Sequence, residues 1–236
     1  RWHSVTGVQT CALPICFMKG TAAEWGGIRL SGGQANSIAF AQVSGGHADG
    51  ASEPDNRGGG IHASGTGTTL FLDHVAIVAN RAENDGGGVF VTESASVNAT
   101  KCVFRDNVVG DSGGGLDARN GATIYVSECV FQNNVAENGG GSAILLVDDG
   151  AASSAAIAKC TVVGNSVLTG HGAVWVGGSS SANVSNCIFW GNAPDQVFLY
   201  GGTVSVAYSD IQGGYAGDGN INADPLFVNA ATGDFR

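Results

Sequence analysis

Asp117 and Arg119 stand two residues apart in an alternating apolar stretch, and Asp148 and Asp149 lie side by side about thirty residues further on. Paired carboxylates beside a fixed cation can act as general acid and base, and converging carboxylates can hold Ca²⁺. Asp next to glycine is equally an ordinary turn former, so geometry has to decide between these readings. Asp85, Asp111 and Glu137 each precede a glycine-rich turn and would form an acidic stripe if those turns stack. Cys102, Cys129, Cys160 and Cys187 invite a metal reading, but no close Cys-x-x-Cys pair accompanies them and ligands must converge on one centre. A buried column of small apolar thiols fits better, with disulfides between neighbours as the alternative.

These residues recur with a fixed period. Gly86-Gly87-Gly88-Val89 leads to Cys102-Val103-Phe104 and Asn107, and every landmark returns 27 residues later in Gly113-Gly114-Gly115-Leu116, Cys129-Val130-Phe131 and Asn134. Earlier and later copies start at Gly58, Gly139 and Gly172, with a weaker one from Trp25 and a decayed one from Gly201. Residues 44–57 read as a polar surface insertion, and about four extra residues surround Asp148-Asp149-Gly150. A repeat of this length marks a solenoid, in which each unit buries its apolar face only against its neighbours.

Within a unit the apolar residues come as pairs two apart: Val89/Val91, Val97/Ala99 and Cys102/Phe104, then the same positions one period on. That period-two pattern predicts three short strands per unit, and glycine interrupts every candidate helix. The fold expected is all-β, a parallel β-helix of about seven coils, roughly 34 Å long at the ~4.8 Å strand spacing. Four cysteines in one register would stack inside it. Asn80, Asn107, Asn134, Asn165 and Asn192 would form a second column at a turn, where Asn tolerates left-handed backbone and each amide can donate to the next. Lys101, Glu128 and Lys159, one before successive cysteines, would make an outer charge ladder. Phe90, His62 and Trp175 fall in one outward column. Trp190 follows an inward Phe189 and should also be exposed. Such aromatics stack sugar rings or pack under the 193–200 loop.

Of 236 residues 39 are glycine, more than twice the usual share of roughly 7%. The net charge is −10 with only ten scattered Lys and Arg, which argues against a nucleic-acid partner. No apolar run approaches the ~18 residues of a membrane-spanning helix.

The Phe104-x-x-Asn107, Phe131-x-x-Asn134 and Phe189-x-x-Asn192 motifs, paired with Gly-Gly-Gly-hydrophobic turns, resemble the repeats of polymorphic outer-membrane autotransporter passengers and of right-handed parallel β-helix proteins of bacterial surfaces. Ile77 and Val162 depart from the motif. Asn222-Ala223-Asp224-Pro225-Leu226-Phe227-Val228 is similar to the segment that closes many such proteins before an anchor region. The resemblance implies the right-handed twist, an extracellular or cell-surface location, and a structural, adhesin-like module that takes an extracellular polysaccharide or a surface partner through Trp175, Trp190, Phe90 and His62. It implies no cofactor. Its relatives include polysaccharide lyases and glycoside hydrolases. The alternative function is therefore glycan cleavage by Asp117, Arg119, Asp148 and Asp149, with Ca²⁺ in the lyase case. Residues 5–15 resemble the translation of a DNA-sequencing adapter, which sets 1–16 apart as artefactual and leaves 17–236 as the β-helix domain, a fragment open at both ends.

Overall fold

The computed structural model describes residues 15–17 and 25–235. The segment expected to be artefactual lies outside the described residues up to position 14. Ile15–Phe17 forms a strand in register with residues 41–43.

Among the described residues, four parallel sheets enclose the core. The first holds Ile28–Leu30, Ile61–Ser64, Val89–Thr92, Leu116–Arg119, Ile144–Val147, Val174–Gly177 and Val197–Tyr200; the second runs from Ala35–Ala39 to Thr203–Ala207. The third contains Ala76–Val78, Val103–Arg105, Val130–Gln132, Thr161–Val163 and Ile188–Trp190 among its eight strands. The fourth is built from two-residue strands, such as Arg81–Ala82 and Val108–Val109. A coil therefore has four strands where the apolar pairs predict three. The short fourth strand buries one residue per coil (Ala48, Ala82, Val109, Ala136 or Val167) in a separate apolar strip, too little to register as a period-two pair. Among the described residues, five coils have all four strands, and the last two keep only three. The polar insertion is shorter than its composition suggests, because Ala41–Ser44 and His47–Ala48 are strands. Val197–Tyr200, read as loop, is the seventh strand of the first sheet.

Alternation decides what is inside. Val89 and Val91 face the core while Phe90 between them faces out, and the same holds for Leu116/Ala118 and Val174/Val176. Phe104 and Phe131 stack one coil apart with centroids 4.5 Å apart and planes 3° from parallel.

Two corners per coil are turned by single left-handed residues. His74, Lys101, Glu128, Lys159 and Asn186 have φ of 52–56° immediately before Val75 and the four cysteines stacked in register with it. Ala79, Asp106 and Asn133 do the same before the asparagine column. The residue before each asparagine therefore takes the left-handed conformation, and the asparagine itself is free to turn its amide inward. Asn80, Asn107, Asn134 and Asn165 each donate Nδ2 to Oδ1 of the next asparagine at 2.9–3.0 Å. The same Oδ1 atoms also accept the backbone N–H of the preceding asparagine at 2.9–3.1 Å. Buried corner amides are thereby satisfied coil by coil. The four cysteines are free thiols and are at most 2% exposed. Hydrogen bonding to neighbouring thiols, and then burial, push the Cys102 and Cys160 thiols far above the ordinary range.

Candidate functional site

The outward column of the first sheet runs Arg29, His62, Phe90, Asp117, Leu145, Trp175 and Phe198. Outward residues of a solenoid are normally wet, yet Phe90 and Asp117 are wholly buried and His62 and Leu145 nearly so. The glycine turns cause this. Each folds back over the side chain four residues later, so that a Cβ on Gly141 would lie 2.6 Å from the Leu145 Cβ, and one on Gly113 would collide with Asp117. Gly113 also has φ +76°, which an L side chain resists. Glycine thus brings backbone onto the sheet face and converts it into a floor beneath a wall of turns.

Over His62 and Phe90 the floor is closed by the 49–57 loop. Glu53 Oε1 lies 3.4 Å from His62 Nε2, and the Arg57 guanidinium covers the Phe90 ring at 5.2 Å. His62 and Phe90, expected to offer an aromatic surface, are therefore covered, because this loop packs down on them. Further along, the floor opens into a cleft of about 210 Å³ lined by Asp111, Ser112, Arg119, Gly139, Gly140, Leu145, Val147 and Trp175. Trp175 is half-buried and stacks on Tyr200 at 5.9 Å, so it combines packing against that segment with a face toward the cleft. Trp190 is half-buried on the third sheet, away from Trp175.

Behind the cleft sits an ion network. Arg119 donates Nε to Asp117 Oδ1 at 3.0 Å and Nη2 to Asp117 Oδ2 at 3.1 Å, reaches Asp85 Oδ1 at 2.5 Å, and donates Nη1 to Asp149 Oδ2 at 3.2 Å. Arg57 holds Asp85 from the other side at 2.9 Å. Asp117, Arg119 and Asp149 are thus brought together. Asp148 is not: it accepts from the backbone N–H of Ser179 at 2.7 Å and from its hydroxyl. The acidic stripe is dispersed, since Asp85 is enclosed in the network, Asp111 stands at the rim, and Glu137 accepts from Arg81 at 3.0 Å. Glu53 and Arg57 belong to the network but had no sequence signal beyond their i,i+4 spacing in a polar loop.

Burial pushes the Asp117 carboxyl up to about 7, against the pull of Arg119, and raises Asp85 for the same reason. Burial works against the Arg119 charge too, but Asp117 and Asp85 outweigh it and hold the guanidinium above its ordinary range. Because the Asp117 value is raised on folding, its contribution to stability is present below the unfolded value of ~3.9 and is lost as pH rises through about 7. A ¹³C-carboxyl titration of the folded protein should place the Asp117 midpoint within about a unit of 7. A midpoint near 4 would mean that the pull of Arg119, or water, outweighs burial at this carboxyl.

Where a lyase would place Ca²⁺ between carboxylates, the Arg119 guanidinium already stands between Asp85, Asp117 and Asp149, so the residues do not fit that ion. Among the described residues no group of three His, Cys, Asp or Glu is arranged to hold a metal, and no helix is long and apolar enough to cross a membrane. A family model described as "Right handed beta helix region" matches residues 17–189. No curated protein and no solved structure matches the chain.

Proposed function

Since the chain belongs to the right-handed β-helix family, whose fold alone leaves the function open, we propose that it is a non-catalytic, secreted or cell-surface module that binds a glycan in the Trp175 cleft. The observation that carries this reading is the state of Asp117. A raised carboxyl beside a cleft is a mark shared by catalytic acids. Asp117, however, is wholly buried and both its oxygens accept hydrogen bonds from Arg119. It has no face to present to a glycosidic oxygen, and a general acid must come within hydrogen-bond reach of the group it protonates. Its role is to orient Arg119.

The cleft suits recognition better. Trp175 and Leu145 supply an apolar floor, while Ser112, Asp111 and Arg119 supply polar atoms at the wall. Its volume is below the ~300–1,000 Å³ of pockets for drug-sized ligands, and matches one ring of a chain that continues into solvent. The coils themselves form the rigid body that holds this cleft at a surface, in keeping with the resemblance to surface β-helix repeats.

The test is a panel of neutral cello-, xylo- and manno-tetrasaccharides and acidic galacturonate and mannuronate tetrasaccharides, assayed for binding and for cleavage, with and without Ca²⁺. Binding without new reducing ends or unsaturated uronate is expected. Trp175→Ala should weaken it about fivefold, the equivalent of ~1 kcal/mol for one lost stacking contact. Trp190→Ala, on another sheet, should leave it unchanged. Turnover of any member would replace this reading with the enzymatic one.

A further inference from the structure

Of the three carboxylates on Arg119, two are permanent and one is replaceable. The side chains of Asp85 and Asp117 are 2% and 0% exposed, whereas that of Asp149, on the same guanidinium that lines the cleft, is 52% exposed. We infer that Asp149 is a specificity-determining residue, an internal carboxylate seated on the outward arm of Arg119 that admits neutral sugars and turns acidic ones away. The inference rests on the glycan reading above and deepens it by naming the ligand class.

Asp149 is delivered by added sequence. Neighbouring asparagines of the ladder are 27 residues apart from Asn107 to Asn134 but 31 apart from Asn134 to Asn165. The extra residues surround Asp148, Asp149 and Gly150, just after Val147 pairs with Arg119. Asp148 fastens this insertion to the next coil through the Ser179 backbone and hydroxyl. Asp149 is thereby set over Arg119 one coil back.

The contact it makes, guanidinium N–H to carboxylate oxygen at 3.2 Å, is the one a uronate would need. Neutral hydroxyls do not compete with a charge-assisted bond, so a neutral ring takes the Trp175 floor and leaves Asp149 in place. A uronate has to expel Asp149 from Arg119 and then sit near Asp111, a carboxylate that lines the cleft. Repulsion by a resident group is an ordinary route to discrimination.

The experiment repeats the same panel with Asp149→Ala and Asp149→Glu. Asp149 is exposed and Arg119 keeps both buried partners, and a melting curve for each variant verifies folding. Wild type and Asp149→Glu should favour the neutral tetrasaccharides. Asp149→Ala should gain roughly tenfold or more for tetragalacturonate, the worth of one charge-assisted hydrogen bond, with neutral binding within about twofold of wild type. That gain should fade as salt is raised. If wild type binds neutral sugars and Asp149→Ala gains nothing for the acidic ones, the inference is overturned and the glycan reading stands. If no neutral sugar binds wild type while Asp149→Ala still gains tetragalacturonate, the role of Asp149 stands and the neutral-glycan reading falls. Wild type preferring an acidic sugar, or no binding by any variant, overturns the inference.

Discussion

Arg119→Leu should lose about 3–5 kcal/mol at pH 8, the typical cost of leaving buried carboxylates without their cation. In a chain of this size that corresponds to a melting temperature lower by roughly 6–20 °C. Asp85 and Asp117 are the groups stranded, since both are enclosed and both face the guanidinium. The sign of the pH dependence follows from which form they must take. Burial already raises both carboxyls while Arg119 pulls them down. Without Arg119 they rise further and fold more easily as neutral acids. The deficit relative to wild type should therefore shrink as pH falls from 8 toward 5. Arg119→Lys keeps the charge but loses the two-pronged contact to Asp117, and should fall between the two. Thermal melts of the three proteins across pH decide it. A deficit independent of pH would show that Arg119 contributes by packing alone.

Asn134→Ala is the second large effect expected. Asn134 accepts from the backbone N–H and Nδ2 of Asn107 at 3.1 and 2.9 Å, and donates to the Phe104 carbonyl and to Asn165 Oδ1, both at 2.9 Å. Its removal orphans groups in the next coil on each side, at roughly 1–3 kcal/mol for each buried group left unpaired. With partial relaxation the loss should be about 3–5 kcal/mol. Asn192, at the end of the ladder and 7% exposed, lets water reach the groups it leaves behind, so Asn192→Ala should cost roughly half as much. Denaturant melts of both variants test this. Equal, small losses below about 1 kcal/mol would mean that the column is decoration rather than a set of obligatory bonds.

The solenoid was legible because its cause is periodic. Every coil repeats the same inward pairs, and Phe104 over Phe131 or Val89 over Leu116 is what a 27-residue period must produce once strands stack in register. What escaped was whatever the repeat does not enforce. The fourth strand buries one small residue per coil, so no alternation betrays it. The left-handed residue before each asparagine is Ala79, Asp106, Asn133, Gly164 or Gly191, four types with no shared signature. The site was half legible. Asp117 and Arg119 share a strand and Asp149 sits on an insertion that breaks the 27-residue repeat, which singled them out. Asp85 was visible only as one member of an acidic stripe before the glycine turns, and Arg57 and Glu53 act through a loop whose path over Phe90 depends on packing. Burial of the outward column was the largest surprise. Its physical source is the close approach that glycine alone permits at Gly113 and Gly141.

The central claim is that the Trp175 cleft binds a glycan and leaves it whole. The most direct measurement is a ¹H–¹⁵N spectrum of the four tryptophan indoles during titration with the tightest neutral tetrasaccharide of the panel, with the sugar recovered afterwards. A saturable shift of the Trp175 indole, a still Trp190 and a tetrasaccharide of unchanged length are expected. A still Trp175 at saturation, or a shortened sugar, would contradict that claim.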